Sequence, residues 1–372
     1  MVVAIISIVL VILNMYFKKN KFLYCVLFMW MWIIMAFTSG IADEGLYINR
    51  YSHPENWIGS SEIIYSATIS IGNKLGMSFG QFKAAISCIQ LLLIFSTIWK
   101  LAEYPNLVST LFLIYPFALN VAQMRNTLAT AVLIFAIRYL FDDGLKVKQR
   151  GLTSNDIKYV IAILIATYIH SASLIWLILV LAKKCSLQMS VFLTILCNIL
   201  IFFVLSPNNI VHILNLFGAG NRMAAYFSME YQASNWRHYG MALIRVTFTA
   251  GGLIGLCLYI NRKRQFNYNE QVQFLLKVNI LILCIYGLIF KYTSEVYRLQ
   301  EGLTVLNLII ITNAFKPEYF KGLRLSVNNA RAFLLLLSFI CAISYIALGI
   351  YLVPTIVIPI LKNNSLINFL LS

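Results

Sequence analysis

Five ionisable side chains lie at the ends of apolar segments in this sequence, and their types suit proton transfer and anion binding. They are Asp43, Glu62, Arg125, His170 and Arg298. An ionisable group at membrane depth costs about 2.5–3.5 kcal/mol on insertion scales, so such a group usually marks a functional site. The charge pattern described below places all five on the same side of a membrane. We therefore expect them to belong to one site that opens outward.

Arg125 lies at the start of a predicted helix, between the segments NVAQM and NTLATAVLIFAIRYL. A guanidinium can bind a phosphate or a carboxylate through two parallel hydrogen bonds, and a position in the first helical turn adds the favourable helix dipole. The alternative is an Arg that only extends to the polar interface. Positive charge is disfavoured on the outer side of a membrane, where Arg125 is predicted to lie, and this favours anion binding.

His170 and Asp43 are the candidates for proton transfer. His170, in ATYIHSASLIW, lies between two short apolar segments, and an imidazole titrates near neutrality. A hydrogen-bonded packing residue is the alternative. Asp43, in SGIADEGLYINRY, suits a general base or a ligand for a sugar hydroxyl, with a solvated loop acid as the alternative. Glu62 is a weaker candidate of the same kind as Asp43.

Tyr297 and Arg298, in KYTSEVYRLQEGL, repeat the arrangement of Arg125 at another predicted helix start. Two Arg side chains at one site would suit a diphosphate better than a single negative charge. Pairing of Arg298 with Glu295 or Glu301 is the structural alternative.

The composition identifies the class of protein. The chain has 372 residues, of which 60% are hydrophobic and 11% charged, and its mean hydropathy is +0.81. A soluble domain cannot bury that much apolar surface, so the sequence predicts an all-α integral membrane protein with about twelve spans. The spans are predicted at 1–17, 22–41, 84–99, 107–122, 127–141, 159–169, 171–182, 189–205, 241–260, 272–290, 300–315 and 332–353.

The basic residues predict the orientation of these spans. They gather in the loops at 18–21, 100, 146–158, 183–184, 262–264 and 316–331. By the positive-inside rule these loops are cytoplasmic, and both termini then face outward, the first span being retained and not a signal peptide. The same rule accounts for the net charge of +16 without nucleic acid as a partner.

The stretch 159–182 is too short for two full spans and long enough for one. A single span would place the basic loops that follow it on the outside, so we predict a short broken-helix hairpin with His170 at its outward tip. Irregular backbone at that depth is tolerated where it lines a protein-enclosed or wet cavity.

Two longer outward loops are predicted at 42–83 and 206–240, within one polytopic domain that covers residues 1–372. The second loop is rich in aromatic residues and contains Arg222 and Arg237, which suit phosphate contact beside sugar stacking on Tyr226, Trp236 and Tyr239. The sequence lacks ATP-binding, serine-hydrolase and zinc-protease motifs, and its scattered cysteines form no metal motif. We expect neither a metal nor a soluble cofactor.

The order and spacing of these residues resemble the EpsG/Wzy-type family of bacterial polysaccharide polymerases. The resemblance covers roughly residues 37–315. It rests on Asp43 with Tyr47 four residues later, on Glu62, on the N-x-x-x-x-R-N-x-x-A-x-A block ending in Arg125–Ala131, on the run IHSASLI around His170, and on Arg298. Family members often have an Arg and a Gly before the Asp, where this chain has Phe37, Ser39 and Ile41, and often Gln in the place of Asn126.

The resemblance implies a GT-C-like membrane glycosyltransferase that joins undecaprenyl-diphosphate-linked oligosaccharide repeats at the outer face of the bacterial inner membrane. The product would be O-antigen, capsular polysaccharide or exopolysaccharide. We assign Arg125 and Arg298 to the diphosphate, and either Asp43 or His170 to the acceptor proton. The predicted substrate contacts are Tyr47, Glu62, Arg222, Arg237 and Tyr297.

Two other functions remain open at this stage. A flippase for the same lipid-linked oligosaccharide is one, although transporters tend to have internal repeats and charges near the bilayer midplane. A polysaccharide O-acetyltransferase is the other. The sequence also leaves open the repeat unit and linkage, the anomeric outcome, the oligomeric state and a chain-length-regulating partner protein.

Overall fold

The computed structural model describes residues 2–17, 19–57, 62–142, 145, 151–204, 236–263, 270–291, 294–314 and 353–371. Within these ranges the chain is helical and forms no strand ladder. A single isolated bridge joins Thr38 and Asn364. The all-α class predicted from the sequence is confirmed for this part of the chain.

The contacts divide the chain into two compact units. The first comprises Met1–Phe135, Ile165–His170 and Thr304–Ser372. The second comprises Ala136–Leu164 and Ser171–Leu303. The prediction of one polytopic domain over 1–372 stays a prediction, and each unit is described by itself.

The N-terminal part of the chain supplies most helices of the first unit. In chain order they are α1 (Val2–Tyr16), α2 (Lys21–Phe37), α3 (Glu44–Ser52), α4 (Ile63–Lys74), α5 (Phe79–Leu101), α6 (Pro105–Ile114), α7 (Phe117–Ala122) and α8 (Met124–Asp142). The residues of α8 after Phe135 belong to the second unit.

The remaining helices follow the loop after α8. They are α9 (Ser154–Ile169), α10 (Ile178–Lys184), α11 (Leu187–Ile199), α12 (Trp236–Val246), α13 (Gly252–Lys263), α14 (Glu270–Leu281), α15 (Ile285–Lys291), α16 (Arg298–Glu301), α17 (Thr304–Ala314), α18 (Ile358–Lys362) and α19 (Ser365–Leu371).

Three described helical stretches are long and apolar enough to cross a membrane by length and composition. They are Phe79–Leu101, Met124–Asp142 and Glu270–Phe290. Shorter apolar helices occupy other predicted segments, whereas most of the segment at 332–353 lies outside the described residues. The chain is therefore helical and apolar in the manner of a membrane protein, and the count of twelve spans stays a prediction.

The predicted span at 107–122 is interrupted in the structure. α6 ends at Ile114 and α7 begins at Phe117, with Pro116 between them. A proline has no backbone N–H and clashes with the preceding turn, so it interrupts a continuous helix. The apolar run alone did not predict this break.

α3 and α4 form most of the described part of the predicted outward loop at 42–83, and both are held against α5. The ring of Tyr51 packs 4.9 Å from that of Phe82. A Cβ at Gly72 would lie 2.8 Å from the Phe82 ring, so a glycine is required where α4 approaches α5. Lys83 of α5 donates to the Thr38 carbonyl and, at 3.0 Å, to Glu44 at the start of α3.

The hairpin predicted over 159–182 is present. α9 ends at Ile169, His170 follows, and a 3₁₀ segment at Ser171–Leu177 leads into α10. The buried Tyr159 hydroxyl donates to the Trp176 carbonyl at 2.8 Å, so the two arms lie side by side.

A buried ion pair closes the base of this hairpin. Lys183 Nζ lies 2.8 Å from Asp156 Oδ1, and Lys184 Nζ lies 2.6 Å from Oδ2. Asp156 and Lys183 are both buried. A carboxylate that is buried in this way is stable only because both of its oxygens are paired.

Asp156→Asn is therefore expected to lower the free energy of unfolding by about 3–5 kcal/mol, since Lys183 would remain buried without its counter-ion. Thermal unfolding of the detergent-solubilised protein measures this loss. Lys158→Ala is the matched control on the same helix, because Lys158 is exposed and its hydrogen bond among the described residues goes to Asn155. It should change stability by less than about 0.5 kcal/mol. Equal shifts in the two variants would contradict the role of the pair.

Candidate active site

A buried carboxylate, that of Glu62, is the meeting point of three charged or titratable side chains in the first unit. Glu62 is 3% exposed. Its Oε2 accepts hydrogen bonds from Arg125 Nη1 at 2.5 Å and from Arg50 Nη1 at 3.1 Å, and its Oε1 lies 3.2 Å from His170 Nδ1. We refer to Glu62, Arg50, Arg125 and His170 as the Glu62 cluster. The structure thus brings together three residues that the sequence singled out and adds Arg50.

The position of Glu62 follows from the start of α4. Glu62 directly precedes Ile63, but its side chain does not cap the helix. A Ser, Thr, Asp or Asn side chain at this position usually accepts from the first-turn N–H groups. Here the carboxylate is directed away from its own helix and bonds to Arg50, Arg125 and His170, which lie on other segments.

Arg125 is fixed by the first turn of α8. The Gln90 amide of α5 donates to the Met124 carbonyl at 2.7 Å, and the backbone N–H of Arg125 donates to the Tyr47 hydroxyl at 3.4 Å. These contacts hold the base of the Arg125 side chain from two directions. Tyr47, predicted as a substrate contact, therefore lies beside Arg125.

The Arg125 guanidinium has a donor that is not satisfied by the described part of the chain. Its Nε is buried and meets no acceptor among the described residues. A buried donor without a partner costs about 1–3 kcal/mol, so such a group in a folded protein calls for an explanation. An anionic ligand that approaches this edge of the guanidinium would satisfy Nε.

Arg50, on α3, was not identified from the sequence. It is 2% exposed, donates from Nη2 to Ser66 Oγ at 3.2 Å, and lies 5.0 Å over the ring of Tyr65. Burial lowers the pKa of the guanidinium, while Glu62 raises it, so the ion pair with Glu62 keeps Arg50 charged. One signal was available in the sequence: an Arg within a predicted outward loop goes against the positive-inside bias.

The charges of the cluster do not cancel. Arg50 and Arg125 contribute two positive charges, and Glu62 contributes one negative charge. His170 adds nothing or a further positive charge, depending on its protonation. Because buried charges are stable only when paired, a net positive cluster is suited to receive an anion. The same surplus makes it unsuited to a metal cation.

Asp43 lies one helical turn from Tyr47 in the same unit. Its carbonyl accepts from the Tyr47 N–H at 3.1 Å, and its side chain is exposed and makes no capping bond to α3. Its φ of 64° is in the left-handed region, which non-glycine residues seldom adopt. Burial raises the pKa of the neighbouring Tyr47 hydroxyl, which therefore stays protonated beside Arg125. Asp43 is thus near the cluster in sequence, but the observed hydrogen bonds to Glu62 do not include it.

The second Arg site predicted from the sequence lies in the second unit. Tyr297 ends a 3₁₀ segment and Arg298 begins α16. The guanidinium of Arg245 lies 4.3 Å over the Tyr297 ring, and its Nη2 donates to Glu301 at 2.8 Å. Glu301, considered above as a partner of Arg298, is thus bonded to Arg245. That Arg298 shares a site with Arg125 stays a prediction.

Two further predicted contacts fall beyond what the structure describes. Arg222 lies outside the described residues, as does the side chain of Arg237. Their predicted part in sugar or phosphate contact therefore stays a prediction.

A comparison with protein-family models identifies the family. The model described as the EpsG family matches residues 21–356, which include every member of the Glu62 cluster. The chain belongs to the EpsG family. No curated protein and no solved structure matches the chain. Membership of the EpsG family agrees with the resemblance found in the sequence and indicates a role of the polysaccharide-polymerase type.

Proposed function

We propose that this EpsG-family protein is a membrane glycosyltransferase that joins undecaprenyl-diphosphate-linked oligosaccharide repeat units into O-antigen, capsular polysaccharide or exopolysaccharide. The reaction takes place at the outer face of the bacterial inner membrane, in a GT-C-like arrangement of about twelve spans. The proposal needs no metal and no soluble cofactor. A chain-length-regulating partner protein is compatible with it.

One observation carries the proposal: Arg125 and His170 are bonded to the two oxygens of the same buried carboxylate. An anion-binding guanidinium and a proton-accepting imidazole are therefore held at a fixed separation in a net positive cluster. Transfer of a sugar from a diphosphate needs this pair, because one product carries a new negative charge and the other loses a proton.

In the proposed reaction, an acceptor hydroxyl of the incoming repeat unit attacks the anomeric carbon of the growing chain. The new glycosidic C–O bond forms as the C–O bond to the diphosphate breaks, and undecaprenyl diphosphate leaves with the bonding electron pair. Arg125 faces the negative charge that develops on the leaving group, with Arg298 as a proposed second partner. The hydroxyl proton passes to His170.

The bond between His170 and Glu62 defines which ring nitrogen would accept this proton. When Nδ1–H donates to Glu62 Oε1, Nε2 has the lone pair and acts as the base. A carboxylate on the far nitrogen also stabilises the imidazolium that forms. His170 is therefore better supported than Asp43, whose exposed side chain has no such orienting partner within the described contacts.

The test is removal of the chain from a bacterium that makes the polysaccharide. We expect cells without it to present single repeat units and no longer polymer, and the wild-type chain to restore the length distribution. Failure to present any repeat unit outside the inner membrane would instead favour the flippase. Full-length polymer that lacks acetyl groups would favour the O-acetyltransferase, and either result would overturn the proposal.

A further inference from the structure

Arg50 is bonded to the same carboxylate oxygen as Arg125. Its Nη1 lies 3.1 Å from Glu62 Oε2, while Nη2 donates to Ser66 Oγ. We infer that Arg50 is a positioning residue of the transfer reaction, which acts through Glu62 to hold Arg125 and His170 in place. The inference rests on the proposed function and adds a residue that the sequence did not single out.

The contacts of Arg50 determine where the Glu62 carboxylate lies relative to the first turn of α4. Glu62, Tyr65 and Ser66 lie on one side of the first turn of α4, three and four residues apart, and Arg50 contacts all three. The planar guanidinium can serve these contacts together because its donors have a fixed geometry. Without it, α3 and α4 would lose the bond that sets where the Glu62 carboxylate lies.

The charge of Arg50 is as important as its shape. Glu62 is buried and also bonds to Arg125 and His170. A buried carboxylate stays ionised only if cations compensate for its lost hydration. When a phosphate approaches Arg125, that guanidinium is shared between Glu62 and the ligand. Arg50 then remains as the cation that keeps Glu62 ionised and so keeps His170 oriented.

Arg50 itself is not placed to contact the substrate. It is more deeply buried than Arg125, with side-chain exposures of 2% and 11%, and its two terminal nitrogens bond to Glu62 and Ser66. The two Arg residues on one carboxylate therefore have different tasks.

Lys83, a buried Lys in the same unit, is the control residue for the substitution of Arg50. Lys83 bonds to the Thr38 carbonyl and to Glu44, and the second oxygen of Glu44 accepts from the Gly40 N–H. This pair resembles Arg50–Glu62 in burial and in linking two helices. Among the described residues, no hydrogen bond joins this pair to Arg125 or His170, so it controls for the loss of a buried cation alone.

The test is a double-mutant cycle on the rate of elongation. The rate is measured in membranes that contain the full chain and are supplied with the lipid-linked repeat unit extracted from the deletion strain. The variants compared are Arg50→Gln, Glu62→Gln and the double variant. We expect Arg50→Gln to lower kcat about tenfold or more with little change in KM, since coupled neighbours show effects of this size. In the Glu62→Gln background, Arg50→Gln should change the rate by less than about twofold.

The controls separate positioning from folding. Lys83→Gln and Glu62→Gln should change the elongation rate independently, so that their fold-changes multiply, because the two sites share no partner among the described residues. Membrane abundance and thermal unfolding are measured for each variant, and if Arg50→Gln does not accumulate, the cycle is run with Arg50→Lys. Arg50→Lys keeps the positive charge and should restore part of the rate when Glu62 is present, but not when it is absent.

Independent effects of Arg50→Gln and Glu62→Gln on the elongation rate would overturn the inference. If Arg50 acts through Glu62, its substitution should have little further effect once Glu62 is neutral. That outcome is distinct from failure of the proposed function. If Arg125→Ala elongates as the wild type does in the same assay, the proposed function fails. If Arg125→Ala is inactive and the cycle is additive, only the role of Arg50 fails.

Discussion

Arg125→Ala is expected to lower the rate of polymer elongation by about 100- to 1000-fold, the loss seen when one fixed donor to a developing negative charge is removed. Two features of the structure support so large an effect. Arg125 is held at the first turn of α8 by bonds to Glu62 and Tyr47, and its buried Nε meets no acceptor in the described residues. The measurement is the length distribution of the polysaccharide in cells that have only the variant chain.

Two variants control for this result. Arg125→Lys keeps the charge but loses the planar fork, so it should retain only part of the activity. Asn126→Ala removes the adjacent polar residue, whose amide bonds within its own turn to Gln123, and it should leave chain length near that of the wild type. Polymer of normal length from Arg125→Ala, at normal abundance in the membrane, would contradict the role assigned to this residue.

His170→Ala should cause a loss of about 100- to 10,000-fold, the usual contribution of a general base. The predicted result in cells is again single repeat units without longer polymer. The wild-type rate should fall as the pH is lowered, because a protonated imidazole cannot accept the acceptor proton. His170→Ala should remove this dependence from whatever activity remains, and the pH–rate profile in isolated membranes measures it.

Asp43→Asn is the companion variant, since Asp43 is the other candidate base. The exposed Asp43 has no observed bond to Glu62, so we expect its loss to reduce elongation much less than the loss of His170. The opposite order, a severe defect in Asp43→Asn and near-normal polymer in His170→Ala, would transfer the role of base to Asp43.

Much of the local structure could be predicted from the sequence. The hairpin around His170 followed from a segment too short for two spans and from the basic loops that bound it. The start of a helix beside Arg125 followed from the boundary between a polar and an apolar run, and α8 begins at Met124. Both predictions depended on neighbouring residues and on the charge rule, which act within a short stretch of chain.

The grouping of residues at Glu62 could not be predicted in the same way. Glu62 is 63 residues from Arg125 and 108 from His170 in the chain, and no periodicity relates positions so far apart. The site is assembled by the packing of α3 and α4 against α5, which depends on close contacts such as that of Gly72 with Phe82. From the sequence alone, Glu62 is therefore a weak candidate, and the grouping of Arg50 with it is not predicted.

The geometry changes the interpretation of Glu62. A carboxylate predicted to bind substrate is instead bonded to two Arg side chains and one His, and it is almost completely buried. Since substrate would have to displace one of these partners to reach it, we now regard Glu62 as the residue that orients Arg125 and His170. In the proposed reaction, the net positive charge of the cluster is available to the diphosphate.

The most direct test of the proposed transfer reaction uses the purified chain in detergent, supplied with the lipid-linked repeat unit extracted from the deletion strain and with no nucleotide sugar. A detergent micelle offers no second compartment, so transport cannot produce a signal. The proposed reaction should yield products with two or more joined repeats from the wild type, and single repeats alone from Arg125→Ala and His170→Ala. A folded wild-type chain that leaves every repeat single, in an assay where unfractionated membranes of the same cells join them, would contradict it.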